Sequence, residues 1–351
     1  METRIIGWDE VNLAVDALKK GEAICFPTET VYGIGILSSK KEYFEKLVAL
    51  KERPADKPFT LMCSSICQVV RHCKVNSRII NVMKKFMPGE ITLILDAREG
   101  EKDYLSLSTN KIGVRVPNSN QVLDMIEKVG EPLLVPSANK SGFKPSLTSK
   151  EAYSYFNNQI PFVIDGECVS NTPSTIVDLS NNQIKLIREG KIPFEDIKKV
   201  FEEEPSTISI GADHGAFDLK NDIAAHLKEM GFVVIDEGTY SKESWDYPIF
   251  AKKVANDIVS NKASLGIVCC TSGIGISIAC NKVKGIRCGV GYDDVLTGKC
   301  REHNNCNVIS FGAAYMKEED VLRRVDIFLS EKFSPLGKHH RRVEEIENIW
   351  A

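Results

Sequence analysis

No stretch of this chain approaches the ~18–20 consecutive apolar residues that a membrane-crossing helix needs. Its opening, METRIIGWDEVNLAV, lacks the basic start and long apolar run of a signal peptide. Together these set the expectation of a cytoplasmic protein with no membrane partner. Neither sign of charge is in excess: 45 Lys and Arg face 48 Asp and Glu, for a formal net charge of −3. That balance removes any global argument for nucleic acid or an anionic surface as partner. Eleven cysteines are present, yet none forms a CxxC pair. Cys63 and Cys67 are too far apart for that motif, Cys269 and Cys270 are adjacent, and no second pair completes a zinc site. A long chain without an export signal is expected to keep such thiols reduced and mostly buried, with no metal. Also missing are GxxxxGK[ST] and any GxGxxG after a strand, which argues against an ordinary NTPase or dinucleotide fold. No internal repeat or low-complexity segment is evident.

What is present divides in two. At 351 residues the chain exceeds the size at which single cores stop growing, roughly 250–300 residues. A seam lies in VFEEEPSTISIGADHG, where the acidic run Glu202 to Glu204 meets Pro205 and a fresh apolar strand begins. Domains of 1–204 and 205–351 are expected.

The second domain reads as βα units. TISIG, FVVIDEG, LGIVCC and GIRCGVG are strands, while FDLKNDIAAHLKEMG and IFAKKVANDIVSN are helices. Strands alternating with helices of about 10–15 residues predict a doubly wound parallel α/β sheet, whose ligands bind at strand carboxyl ends. The first domain is less regular. AICFP, ITLILDA, IGVRVP, PLLVP, FVIDG and STIVDL read as strands and KEYFEKLVALK as a helix, predicting an open mixed α/β sheet.

In the second domain, Cys270 ends a strand and Thr271, Ser272, Gly273 and Gly275 lead into the helix ISIACNK. Amides of such a loop and a helix N-terminus attract anions and lower a cysteine's pKa from its usual ~8.5. Cys269 reads as a small core residue. Asp213 and His214 follow the first strand, and Asp213 suits an N-cap. Asp246 and Tyr247 lie in a turn, while His303 and Asn304 close a helix. GKHHRRVEEIENI puts Lys338, His339, His340, Arg341 and Arg342 at a helix start, where positive charge is opposed unless an anion arrives. Five of the six histidines fall in this half.

The segments GADHGAFDLK, DEGTYS, DYP, CCTSGIGISIACNK, REHNN and GKHHRRVE resemble, in order, the ribose-5-phosphate isomerase B family over about residues 207 to 350. The resemblance implies interconversion of ribose 5-phosphate and ribulose 5-phosphate through an enediolate, without a cofactor. It implies Cys270 as the proton-transferring base, with Ser272 and the amides of Thr271 to Gly275 holding the oxyanion. His303 would act in ring opening and Asp213 would orient sugar hydroxyls. His214, Lys338, His339 and Arg342 would hold phosphate, with Tyr247 and Asn304 beside the sugar. Four positions depart from the family: Lys338 and Ala314 stand where Arg is usual, Thr271 where Gly is common, and Ser272 replaces Thr. Lys gives up the bidentate fork of Arg, which Arg341 would have to offset. The relatives' sites form between subunits, which implies a homodimer through this domain.

In the first domain, FPTETVYGIG follows a strand with a polar turn, and LKERPADKP places Lys51, Arg53 and Lys57 just past a helix. Arg115 interrupts the valines of IGVRVP. LLVPSANKSG ends in Ser137 and Asn139, and NTPSTIVDL and LIREG add Ser174, Thr175 and Arg188. This set resembles the YrdC family of threonylcarbamoyl-AMP synthases over about residues 5 to 192. The quadruple Lys51, Arg53, Ser137 and Asn139 matches its KR…SxN signature. The implied reaction joins L-threonine, bicarbonate and ATP, with Mg²⁺, into threonylcarbamoyl-adenylate and pyrophosphate for tRNA modification. By analogy Lys51, Arg53, Lys57, Arg115, Ser137, Asn139 and Arg188 would bind ATP. Thr28, Thr30, Tyr32 and Ser174 would shape the threonine pocket.

The expectation is therefore a fusion of two enzymes. The rival readings are a first half that only docks tRNA or its modifying proteins, and a second half that isomerises allose or galactose 6-phosphate or only senses a sugar phosphate. No basic, aromatic-interleaved patch supports direct RNA binding.

Overall fold

Short β-branched and aromatic runs bounded by turn residues become strands in the computed structural model, which describes residues 2–54, 56–170, 172–334 and 337–350. The chain forms two units: residues 1–74 with 85–201, and residues 75–84 with 202–351.

The first unit holds a ten-stranded sheet of β1 (Arg4–Ile6), β2 (Ile24–Pro27), β3 (Tyr32–Leu37), β4 (Leu61–Met62), β5 (Ile91–Asp96), β6 (Lys111–Arg115), β7 (Leu133–Leu134), β8 (Phe162–Ile164), β9 (Thr175–Asp178) and β10 (Lys185–Arg188). Their order is β1-β8-β2-β3-β7-β4-β6-β5-β9-β10, with parallel and antiparallel pairs mixed. The sequence reading of an open mixed sheet holds, but VYGIG is more than a turn with small residues. Tyr32–Leu37 is a full strand paired with β2, and residues 28–31 form the hairpin loop. The Thr28 hydroxyl closes that loop by donating to the Val31 carbonyl (2.7 Å). Helices such as Val11–Lys19 and Asn120–Val129 bury one apolar face on the sheet, where Leu18, Phe26, Ile126 and Leu133 share one core. Each such side chain contributes about 1.5–3 kcal/mol on burial.

The second unit is built on a parallel sheet ordered β12-β11-β13-β15-β14, from β11 (Thr207–Ala212), β12 (Val233–Asp236), β13 (Leu265–Cys270), β14 (Cys288–Val290) and β15 (Val308–Gly312). The apolar strand VISFG, unread in the sequence, is β15 and lies between β13 and β14. Asp246 and Tyr247 also differ from expectation. Tyr247 opens the helix Tyr247–Val259 with Asp246 at its N-cap, since Pro248 in the first turn costs no hydrogen bond. From β11 the chain goes to one side to form β12 and to the other to form β13, so the strand order reverses there. In open α/β sheets the binding crevice lies at that point.

Candidate active sites

The floor of a cavity of about 590 Å³ in the first unit is one face of its sheet. Side chains on a strand alternate faces, so one face takes every second residue. The lining follows that rule: Thr92 and Ile94 of β5, Lys111, Gly113 and Arg115 of β6, and Ile176 and Asp178 of β9. Their neighbours Leu93, Ile112, Val114 and Val177 face the core and are fully buried. The walls carry Thr30, Arg53, Lys57, Ser137, Ser174 and Arg188.

Several of these groups are already positioned. Arg188 donates to the Ser174 carbonyl through Nε (3.1 Å) and Nη2 (2.8 Å), and Ser174 Oγ lies 2.9 Å from Thr92 Oγ1. Arg53 donates to the carbonyls of Lys57 and Pro58 (3.3 and 3.0 Å), with its guanidinium over Phe59. Burial lowers the pKa of Arg53 and Arg188, and for Arg188 the Arg115 charge adds to the effect. Arg115 pairs with Glu29 at 2.8 Å and donates to Thr30 Oγ1 at 2.9 Å.

Four residues singled out from the sequence stand behind this wall rather than on it. Lys51, the last residue of the helix Lys41–Lys51, is 2% exposed. Its ammonium donates to the carbonyls of Ser137 and Asn139 and to Asn139 Oδ1 (3.2 Å). Asn139 Oδ1 also accepts from the Ser137 hydroxyl, while its Nδ2 donates to the carbonyls of Lys140 and Phe143. Lys51 and Asn139 thus fix Ser137. Burial, then the Arg53 charge, pulls the Lys51 pKa down to about 8. Thr28 lies in the hairpin loop 2.9 Å from Thr30 Oγ1. Tyr32 is fully buried and donates its hydroxyl to the Gly166 carbonyl (2.8 Å).

In the second unit, the crevice between β11 and β13 collects Asp213, His214, Cys270, Thr271 and Ser272. Asp213 is buried and N-caps the next turn, accepting from the Gly215 amide at 3.0 Å. Its carboxyl pKa is raised by burial, against the pull of His214 and the capping amides. His214 is exposed, with Nδ1 accepting from the Trp245 amide at 3.3 Å. Cys270 is 4% exposed and its sulfur accepts the Gly273 amide at 3.1 Å. Gly273 has φ +77°, and a Cβ there would lie 2.9 Å from the Phe311 carbonyl carbon. Only glycine suits both constraints. The Tyr247 ring packs on Gly275 at the start of the helix Ile274–Cys280. Burial pushes the Cys269 thiol up, in keeping with a core residue.

The remaining group is elsewhere. His303 and Asn304 end the helix Asp294–Asn304, which starts just after β14 and finishes just before β15. That helix runs back along the sheet for roughly 16 Å. His303 therefore sits near the amino ends of the strands, away from Cys270. Its ring stacks on His339 at 4.0 Å and 16°. Lys338, His339 and Arg342 belong to the helix Lys338–Glu347, where Arg341 lies 3.5 Å from Glu345.

Two family profiles match the chain. The one described as telomere recombination, which takes in YciO and YrdC, covers residues 16–190. The one described as ribose/galactose isomerase, taking in LacAB and RpiB, covers residues 208–346. A protein named ribose-5-phosphate isomerase B from Escherichia coli K12 is 42% identical over 142 residues, 40% of this chain and 95% of the relative. A protein named threonylcarbamoyl-AMP synthase from Pseudoalteromonas translucida is 33% identical over 177 residues, 49% of this chain and 94% of the relative. The chain belongs to both families, one in each half. The crystal structure of Escherichia coli YciO superposes with a TM-score of 0.51 at 25% identity, covering 56% of this chain and 96% of its own.

The YrdC-family half also holds groups the sequence reading passed over. Glu29 is buried, accepts the Asn118 amide at 3.0 Å and neutralises Arg115. Lys111 and Asp178 form a 3.1 Å ion pair on the cavity floor. The signal for Lys111 was available: with Gly113 and Arg115 it alternates with Ile112 and Val114. In the RpiB-family half, the separation of His303 from Cys270 had no local signature.

Proposed function

We propose that the chain carries two activities, the first within residues 1–204 and the second within 205–351. The first forms L-threonylcarbamoyladenylate and pyrophosphate from L-threonine, bicarbonate and ATP. The observation that carries this reading is the ring of Arg53, Lys57, Arg115 and Arg188 around one cavity that also presents the hydroxyls of Thr30, Ser137 and Ser174. Cations gathered around one cavity, with Arg53 half-buried among them, favour a polyphosphate, and the hydroxyls suit an amino acid and a carbamate. Catalysis here is positioning and charge neutralisation. Lys51 and Asn139 serve it by fixing Ser137. Among the described residues no group of three or more His, Cys, Asp or Glu could hold a metal ion. Mg²⁺ would accompany ATP, since bound phosphates normally carry it. Pyrophosphate release that requires both threonine and bicarbonate, and disappears in Arg53→Ala, is the expected result. Release independent of threonine would leave this half as a docking module.

The second activity interconverts ribose 5-phosphate and ribulose 5-phosphate. It rests on Cys270 at the crevice between β11 and β13, beside the Thr271–Gly275 loop and Asp213. The sulfur takes a proton from one carbon of the open sugar and returns it to the next. Ser272 and the loop amides hold the enediolate oxygen. Cys270→Ala should abolish turnover and keep sugar-phosphate binding.

His303 ends a helix that runs back along the sheet from the Cys270 end, and His339 stacks on it, so both lie away from Cys270 of their own copy. A second copy would bring them there, and exposed apolar residues support one: Ile274, Ile278, Tyr292, Val295 and Leu296 are all more than half exposed. A homodimer through this half is the assembly proposed. Ala314 and Lys338 favour a second substrate reading, an aldose 6-phosphate such as allose or galactose 6-phosphate. Turnover across a panel of aldose phosphates separates the two. Among the described residues no helix is long and apolar enough to cross a membrane.

A further inference from the structure

The helix that carries His303 ends between two cysteines, Cys300 and Cys306. The chain reverses at Asn305, which adopts φ +46°, and the Cys306 amide then donates to the Cys300 carbonyl at 2.9 Å. A hydrogen bond between the two residues' own backbones limits their Cα separation to about 6.8 Å. Disulfides span about 4.4–6.8 Å between Cα atoms. The sulfurs converge as well. A Cβ placed on Gly289 would stand 2.6 Å from Cys300 Sγ and 3.3 Å from Cys306 Sγ, so both thiols look onto the same bare spot on β14. Both also line a cavity of about 440 Å³ with Cys288, Ile346 and Ile349, and Cys300 is only half-buried, so a small oxidant has a way in. The reversal is held firmly. Arg287 Nε donates to the Asn305 carbonyl at 2.8 Å, and Arg301 Nη1 donates to the Cys306 carbonyl.

We propose that Cys300 and Cys306 form a reversible disulfide, an oxidation site that closes the last turn of the helix around His303 and Asn304. The thiols are unequal in a way that assigns their roles. The hydrogen bond from Cys306 holds the Cys300 thiol below its ordinary pKa, and the same bond with burial raises Cys306. Cys300 is half-buried and Cys306 buried, so peroxide reaches Cys300 first; Cys300 is the attacking thiolate and Cys306 the resolving thiol. The Cys300 thiolate takes one oxygen from hydrogen peroxide and becomes a sulfenic acid, while the departing hydroxide gains a proton and leaves as water. Cys306 sulfur then displaces the second hydroxide, which leaves as water with the Cys306 proton. Two thiols and one peroxide yield one disulfide and two waters, and exchange with a dithiol reverses the step.

A bridge between these residues fixes the helix end that holds His303 against His339. Its effect on isomerisation rests on the function proposed above, whereas the bridge itself does not. Full-length protein treated with hydrogen peroxide, alkylated and digested with trypsin without reduction reads it directly. Cleavage after Lys299 and Arg301 leaves Cys300–Arg301 as a dipeptide, expected to be linked to the peptide of residues 302–317 and released by dithiothreitol. In Cys306→Ser, dimedone should trap the Cys300 sulfenic acid, and Cys300→Ser should give no link. Two separately alkylated cysteines in oxidised wild type, or a first bridge between Cys280 and Cys288, would overturn the proposal. The wild-type digest decides this even if a variant fails to fold.

Oxidised wild type is further expected to lose most ribose 5-phosphate turnover, to regain it with dithiothreitol, and to keep threonine-dependent pyrophosphate release. Cys306→Ser under the same peroxide should retain turnover. Equal loss in that variant would assign the inhibition to Cys270 and remove the link to His303. A reduced wild type inactive on every aldose phosphate would count against the proposed function and leave the digest to judge the bridge.

Discussion

Gly215 and Thr271 meet across the crevice between β11 and β13: a methyl group at 215 would stand 2.4 Å from Thr271 Oγ1. The two loops that present Asp213 and Cys270 are thus in contact, and the contact is filled. Thr271 occupies space that the commoner glycine would leave empty, so Gly215 has to supply the room. Gly215→Ala should push the Thr271–Gly275 loop away from Asp213 and cut isomerase turnover. Adding Thr271→Gly should restore it. Kinetics of the single and double variants check this, and additive losses would contradict it.

The placement of His303 at the far end of its helix from Cys270 makes a second outcome quantitative. Cys270→Ala and His303→Ala should each be inactive alone. Mixed and allowed to exchange subunits, they should recover roughly one quarter of wild-type turnover, because in the proposed homodimer half the dimers would be mixed and each would have one intact site. No recovery despite demonstrated exchange would mean that both groups act within one copy.

Gly273→Ala meets two penalties together. An alanine at φ +77° is strained by roughly 1–2 kcal/mol, and its methyl would press on the backbone at Phe311. The loop should shift and withdraw the amide from Cys270 sulfur. A lowered melting temperature for the second unit together with lost turnover is expected. Gly142, with φ +84° and nothing within 4 Å of an added Cβ, is a control for strain without the clash.

Lys51 gives the first unit a pH signature of definite sign. Its folded pKa, about 8, lies below the 10.5 of a free lysine. Between those values the unfolded chain binds more protons, so this group's contribution to stability rises with pH from about 8 to 10.5. Below pH 8 the full cost of burying the ammonium is present. Relative to Lys51→Met, wild type should gain up to about 2 kcal/mol between pH 7.5 and 9.5 in urea unfolding of this unit. A flat difference would mean that the three oxygens around Nζ keep it charged throughout.

Much of this arrangement was legible in the sequence, and the gaps have physical causes. The strand, loop and helix around Cys270 and the N-cap at Asp213 are local patterns of hydrophobicity and capping, and both stand as read. Lys51 looked like an ordinary cation closing a helix. Its burial depends on oxygens of Ser137 and Asn139, the latter 88 residues away, and no local pattern reports that. Thr92 and Asp178 reach the same cavity because β5 pairs with β9, a match between strands some 80 residues apart. VISFG carries no local mark of a strand because it follows closely on a helix, with only Asn305–Asn307 marking the break. The position of His303 at the far end of its helix required the direction of that helix, which the sheet order supplies.

The strictly alternating floor of the first cavity restricts which changes of length the gene can survive. Removing one residue inside Lys111–Arg115 would rotate the strand's remaining side chains half a turn, sending charge into hydrocarbon and hydrocarbon into the ligand's place. The same deletion in the exposed turn at Glu99 and Gly100 would alter only a loop. Deletion scanning across residues 98–116 should therefore show tolerance that ends abruptly where the strand begins.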